Sequence, residues 1–329
     1  MATRIVLACG LSELVTCSWA IAHGHAGDRA RNVLIIYGQK LSMPTEHLRE
    51  TLALSNRFGE WSKVFDLTDE GGPIEWGRLR APVPVTEELR AAIEGADQIM
   101  THTLWRHPEQ AILDLCPDAE IILYDNGLDS HIDRPVIDSL DHCAAIRRKD
   151  LHRTGTAIYA LGDLLPLPAF AKGLQPVIPT GKSLRAHIES LAAGLSENLA
   201  RLPHPSGAAA LIIGTSLYRG GKIAREAEAA IYRRRISELR QDGLSVVCKE
   251  HPRASLPLLD GADNAQIALR TSLPIEFLPL TMNIGLSSSL SSSALLTLKK
   301  LFAIPAELLG GERRGELQLP WMSGLEAAI

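Results

Sequence analysis

Residues 244–253 read LSVVCKEHPR, an apolar run that ends in a charged elbow, and how this stretch is read decides the fold. Val246, Val247 and Cys248 have the character of a strand covered on both faces, as in a parallel sheet. Lys249, Glu250, His251 and Arg253 then bring four ionisable groups to its carboxyl end, where open α/β sheets bind ligands. Pro252 cannot donate to a ladder, so the strand is expected to stop there with His251 held at its mouth. His-Pro also occurs at His107-Pro108, which opens a helix-like run, and at His204-Pro205 in a polar linker. Only His251-Pro252 closes an apolar strand.

Working outward, the same alternation of strand and helix surrounds this stretch. Strands are expected at 210–214, 244–248, near Gln266 and at 282–286, with helices at 223–241 and 294–301. The first half alternates in the same way, with strands at 4–8, 32–37, 63–66, 98–101 and 119–124 and helices at 13–22, 86–94 and 107–116. Such alternation is the pattern of doubly wound parallel sheets. Between about 164 and 205 prolines flank a helix expected at 184–199, which reads as an interdomain connector. The expected organisation is a first Rossmann-like domain at 1–165, a connector at 166–205 and a second Rossmann-like domain at 206–329. Two such units facing one cleft are the GT-B architecture, an α/β fold.

Composition narrows the class. With 46% apolar and 22% charged residues in a chain of 329, the disordered and membrane classes are excluded. The net charge of −4 is spread along the chain, and no nucleic-acid partner is expected. Short basic clusters at 147–149 and 233–235 read as solvated helix faces that could also attract an anionic substrate or membrane surface. The five cysteines, Cys9, Cys17, Cys116, Cys143 and Cys248, are odd in number and show no CxxC spacing. They read as reduced core thiols in a reducing compartment. The first 26 residues mimic a secretory leader, but Glu13 interrupts the apolar run, so strand followed by helix is expected. No stretch approaches the apolar length of a membrane span.

Three constellations carry candidate chemistry. Asp125, in Tyr124-Asp125-Asn126-Gly127, ends the strongest strand of the first half; Gly127 allows a sharp turn that would expose the carboxylate as a general base. In NIGLSSSLSSSAL at 283–295, the hydroxyls of Ser291, Ser292 and Ser293 fall at a helix start beside unpaired backbone N–H groups, a ready site for phosphate. In SLPIEFLPL at 272–280, Pro274 suits the first helical position and would place Glu276 in the first turn, where it could accept from ribose hydroxyls.

Taken in order, Asp-x-Gly after a strand, strand-Lys-x-His-Pro, Pro-x-Glu and a serine cluster before a helix resemble the bacterial sialyltransferases, specifically the capsule-type polysialyltransferase family. The stretches RNVLIIYG at 31–38 and LIIGTSLYRGGKI at 211–223 are similar to that family too. The resemblance implies an inverting GT-B glycosyltransferase that moves a nonulosonic acid from a CMP-sugar, such as CMP-sialic acid, to a hydroxyl of a glycan acceptor of the cell surface or capsule. It implies Asp125 as general base and His251 as the group that hydrogen-bonds or protonates the departing CMP phosphate. Lys249, Pro252, Gly214 and Thr215 would line the donor site, Glu276 would hold the ribose, and Ser291, Ser292 and Ser293 would bind phosphate oxygens. No metal is expected, because the donor carries one phosphate. The expected location is the cytoplasm, or peripheral attachment at the inner membrane face. The family usually has a second acidic residue where this chain has Asn126.

Other readings compete. His23-Gly24-His25-Ala26-Gly27-Asp28 has the look of a ligand pair with a carboxylate beyond it, as in a metal-dependent hydrolase; it lies in a loop after a helix, and no later histidine pair completes it. Gly181-Lys182-Ser183 suggests a P-loop but has Pro176 where the first glycine belongs and no expected strand before it. A sugar-nucleotide-binding protein without turnover is the third alternative.

Overall fold

The structure is a computed structural model that describes residues 2–27, 30–37, 45–67, 85–125, 127–138, 145–251, 266–269, 271–311, 317 and 319–329. Asp28, Asn126, Cys143 and Pro252 lie outside the described residues. The chain divides into two units, Met1–Pro179 and Thr180–Ile329. The expected connector is therefore shared out: its first part adds a strand to the first unit, and its helix belongs to the second.

The first unit runs β1 (Thr3–Ala8), α1 (Leu11–Ala22), β2 (Arg31–Ile36), α2 (Thr45–Ser55), β3 (Lys63–Asp66), α3 (Glu87–Ile93), β4 (Gln98–Thr101), α4 (His107–Leu115), β5 (Glu120–Tyr124), β6 (Val136–Ile137), β7 (Ile146–Arg147), α5 (Arg148–His152), β8 (Thr154–Ile158) and β9 (Gln175–Val177). Its main sheet is parallel, in the order β3-β2-β1-β4-β5-β8-β9, and β6 and β7 pair separately. Both faces are covered: Ile5, Leu7, Val33, Ile35, Ile99 and Ile121 share a core with Leu89 and Ile112, while Val6, Ala8, Leu34 and Ile36 are equally buried. That two-sided burial is why these strands read as unbroken apolar runs. Glu13, which breaks the leader-like start, caps the first helix by accepting from the Cys9 and Gly10 N–H groups. At the opposite, amino edge of the sheet, buried Arg4 donates to Gln98, Asn32 and the carbonyls of Ala26 and Gly27.

The second unit runs α6 (Gly181–Gly194), α7 (Ser196–Ala200), β10 (Ala209–Ile213), α8 (Arg225–Gln241), β11 (Ser245–Lys249), β12 (Gln266–Leu269), β13 (Ile284–Ser289), α9 (Ser293–Phe302), β14 (Ala306–Leu308) and α10 (Met322–Ala328). Its sheet is also parallel, in the order β12-β11-β10-β13-β14. Ala210, Ile212, Val246 and Cys248 pack against Tyr232, Ile236 and Leu239 of α8. The single helix expected at 184–199 is two, broken at Leu195. A strand, β9, does precede Gly181, contrary to the sequence expectation. The glycine serves packing: a Cβ there would stand 2.8 Å from the Lys300 carbonyl of α9.

The basic clusters are ion-paired, and Arg147 is buried instead of lying on a solvated face as expected. Arg147 bonds Asp150 and Asp114, Lys149 bonds Asp114 at 2.6 Å and Arg148 bonds Asp138 at 2.6 Å. Asp138, Arg147, Arg148, Lys149 and His152 line a hollow of about 430 Å³. Arg233, Arg234 and Arg235 pair with Glu226, Glu238 and Glu307. Among the described residues no helix is long and apolar enough to cross a membrane, and Cys9, Cys17, Cys116 and Cys248 form no disulfide.

Candidate functional site

In the second unit the chain leaves β10 toward β11 and β12 on one side and returns to β13 and β14 on the other. The switch point, where doubly wound sheets bind ligands, is therefore the crevice between the carboxyl ends of β10 and β13. Gly214 and Thr215 follow β10, Ser291 and Ser292 follow β13, and Glu250 and His251 follow the neighbouring β11. Gly214 donates its N–H to the Lys249 carbonyl at 2.9 Å. A Cβ on Gly214 would come within 3.2 Å of Glu250 Cα and 3.3 Å of His251 N, so glycine is what lets the two strand ends close up and seats partly buried His251 beside the β10 loop.

The two serine triplets play different parts. Ser287, Ser288 and Ser289 are fully buried in β13 and donate to Pro305 O, Glu307 Oε2 and Ile213 O at 3.2, 2.7 and 2.8 Å. Ser291, Ser292 and Ser293 are partly exposed at the start of α9. Ser292 is the N-cap, accepting from the Ala294 N–H at 3.2 Å. Ser291 Oγ accepts from the Trp321 indole at 2.7 Å, a tie to the last helical segment with no counterpart in the sequence pattern. The later triplet thus combines hydroxyls with the positive end of a helix dipole. Thr215 is placed otherwise: its hydroxyl is buried and donates to Glu228 at 2.5 Å, while the other Glu228 oxygen accepts from the Tyr218 N–H at 2.8 Å. That network clamps the loop after β10 onto α8 and turns the hydroxyl away from the edge.

Lys249 is 7% exposed and its ammonium donates to the Thr271 carbonyl at 3.0 Å. Glu276 lies in the first turn of a 3₁₀ helix, Ile275–Leu280, with Pro274 one position earlier than expected, at the N-cap. Burial pushes the Glu276 carboxyl above the usual carboxylate range, and its own backbone N–H and the Lys249 charge oppose that shift. Glu276 Oε2 is buried and has no hydrogen-bond partner among the described residues, so it keeps an acceptor for a hydroxyl.

In the first unit Asp125 follows β5. Gly127 does adopt positive φ, at 79°, but the turn closes over the carboxylate instead of exposing it: Asp125 is 4% exposed. Its Oδ1 accepts from the Gly127 N–H at 2.6 Å, and its Oδ2 accepts from the Leu161 N–H and from His131 Nε2, each at 3.2 Å. His131 Nδ1 lies 3.0 Å from the Pro166 carbonyl. The Tyr159 ring packs 5.4 Å from the His131 ring, and its hydroxyl is buried without a hydrogen bond. Burial and the Asp125 charge both push the Tyr159 phenol upward. Farther along the same turn, Asp129 is bracketed by Arg106 at 3.5 Å and Arg134 at 2.6 Å, and Arg134 lies over the Trp105 ring. Sequence reasoning missed His131; its one local signal is a histidine in the polar loop directly after the Asp-x-Gly turn.

The switch point of the first sheet lies between β1 and β4, and it holds a cluster the sequence did not announce. Arg106 Nη1 donates to His102 Nε2 at 2.9 Å, and the Tyr37 and Thr103 hydroxyls donate to Glu109 Oε1 at 2.5 and 2.7 Å. The ligand atoms of Cys9, Glu13 and His102 lie within 4.8 Å of one another, a spacing that could hold a metal ion. Their chemistry opposes it: Glu13 is spent on the helix cap, Arg106 occupies His102 Nε2, and burial with the Glu13 charge pushes the Cys9 thiol far up. The rival pair His23 and His25 falls at the end of α1, on the amino edge of the sheet, with both rings stacked on Trp19 and His23 Nδ1 against the Trp19 carbonyl at 2.8 Å.

The alpha-2,8-polysialyltransferase (POLYST) family model matches residues 13–310. No curated protein matches the chain by sequence. Among solved structures, UDP-GlcNAc 2-epimerase from Methanocaldococcus jannaschii superposes with a TM-score of 0.56 at 9% identity, over 99% of this chain and 92% of that one. UDP-GlcNAc 2-epimerase from Neisseria meningitidis, bound to UDP-GlcNAc, gives 0.55 at 14% identity, over 99% and 85%. At such identities the likeness shows the fold alone, which is GT-B.

Proposed function

We propose, starting from the fact that the chain belongs to the alpha-2,8-polysialyltransferase family, that it transfers a nonulosonic acid from a CMP-sugar to a hydroxyl of a glycan acceptor with inversion. The chain is an enzyme, a sialyltransferase-type glycosyltransferase that takes a sugar-nucleotide donor and a glycan acceptor. The observation that carries the CMP reading is the edge of the second sheet, where Ser291, Ser292 and Ser293 open α9 at the switch point and His251 follows the strand next to β10. As the glycosidic bond breaks, negative charge collects on the leaving phosphate, and preorganised donors facing that charge stabilise the transition state most. His251 gives the phosphate a hydrogen bond or a proton, the serine hydroxyls and helix N terminus bind its oxygens, and Glu276 Oε2 accepts from the ribose. One phosphate in the leaving group calls for no bridging metal.

Asp125 is the general base in this reading. A carboxylate offers about four lone-pair sites, and three here are used. The remaining one, on Oδ1, takes the acceptor hydroxyl, which requires the turn to give way on its Gly127 side because the carboxylate is covered. The enzyme works in the cytoplasm or peripherally at the inner membrane face.

The test is calorimetric titration with CMP, beside UMP and GDP, with and without EDTA. Selective CMP binding that survives EDTA supports the donor site. Absence of CMP binding to well-folded protein removes the CMP reading, and binding abolished by EDTA removes the metal-free one.

A further inference from the structure

Both ring nitrogens of His131 face acceptors, the Pro166 carbonyl at Nδ1 and Asp125 Oδ2 at Nε2. A neutral imidazole carries one N–H and could satisfy only one of them; the doubly protonated ring satisfies both. The side chains of His131 and Asp125 are 5% and 1% exposed, so each charge is removed from water and needs the other. We infer that His131 is the counter-ion of Asp125 in its covered site and, by occupying Oδ2, selects Oδ1 as the oxygen that meets the acceptor. The inference rests on the reading of Asp125 as base. His131 touches no substrate in it and is a positioning residue.

The surroundings agree. Burial alone would lower the His131 pKa, but the hydrogen bond and charge of Asp125 and the Pro166 carbonyl outweigh it, and the net shift is upward. The other titratable groups around the ring are accounted for. Tyr159 comes from the end of β8 with its phenol kept neutral, Asp129 on the same turn is engaged by Arg106 and Arg134, Asp133 accepts from the Ala169 N–H, and Asp163 is exposed. Asp125 is thus the anion in hydrogen-bond contact with the ring among the described residues. A purely structural pair, stapling the 3₁₀ turn to the segment at 161–166, would use the same bonds, so the test must read protonation as well as folding.

The experiment is the pH–rate profile of sugar transfer for the wild type, His131→Gln and Asp125→Asn, with CMP affinity as the check on the donor half. In the wild type, transfer falls on the alkaline side as the imidazolium loses its proton. In His131→Gln that alkaline limb disappears, transfer at neutral pH drops about tenfold, and CMP affinity stays within about twofold. An unmoved profile in His131→Gln, with Asp125→Asn inactive, overturns the counter-ion role and leaves the base standing. Transfer by Asp125→Asn overturns the base reading itself. Should His131→Gln fail to fold, ¹⁵N NMR of the wild-type histidines decides: two protonated nitrogens on His131 at pH 7 support the inference, and a neutral ring overturns it.

Discussion

At the carboxyl edge of the first sheet Asp125 and His131 are covered side chains bonded to each other, whereas the edge of the second sheet presents partly exposed hydroxyls, a histidine and a helix N terminus. Asp125 has three N–H donors and almost no exposure; Ser292 and Ser293 stand open at the start of α9. The difference follows the charge each edge must handle. A helix N terminus with hydroxyls is neutral and can meet water at little cost until an anion arrives. A carboxylate in a covered site pays for desolvation at all times and persists only when donors or a cation compensate it. The second edge is therefore built to receive charge, and the first to hold it.

Asp125→Ala should break the comparison most sharply. Transfer should fall about 10²–10⁴-fold while CMP affinity stays within about twofold, as measured by initial rates and titration; normal transfer would mean the proton is taken elsewhere. His251→Ala should cost about 10²–10³-fold in turnover and weaken CMP as well, so kinetics and calorimetry together separate the two edges. Loss of turnover with unchanged CMP affinity would move His251 away from the phosphate. Gly181→Ala, whose Cβ would meet the Lys300 carbonyl at 2.8 Å, should cost about 1–3 kcal/mol in urea unfolding and shift the helix that carries the serines. Ser292→Ala should remove a cap worth about 1 kcal/mol and lower CMP affinity several-fold. Ser288→Ala, which loses a buried bond to Glu307, should cost about 1 kcal/mol and leave CMP affinity alone; equal effects on CMP would erase the distinction between the triplets. The smallest effect is on the pH dependence of folding. The His131 pKa is raised in the folded state, so its stabilisation is complete below the unfolded value of about 6.5 and is lost as pH rises through the higher folded value. Thermal unfolding at a series of pH values should show this decline, and His131→Gln should flatten it.

Two strands missed in the sequence share a cause. The strand β8, TGTAI, has two threonines and a glycine in place of an apolar run, and β9 contains Pro176, which a sheet tolerates at its edge. Neither carries a local signal; both are strands because β5 offers a ladder for β8, and β8 one for β9. Thr215 shows the converse. It follows an apolar strand, where a ligand contact is the natural expectation, yet its hydroxyl is drawn inward by Glu228, thirteen positions along the chain.

The sequence by itself determined the alternation of strands and helices, the Rossmann-like character of both halves, the apolar strand after which His251 falls and the serine start of α9. Each of these depends on neighbours within a turn or two, through apolar periodicity, capping and φ restriction. Only the tertiary structure decided the strand order that creates the two switch points, the division at 179/180, the inward turn of Thr215 and the closure of His131 and Leu161 over Asp125. Those depend on which ladders pair and on how buried polar groups find partners far along the chain, and no local pattern encodes that choice.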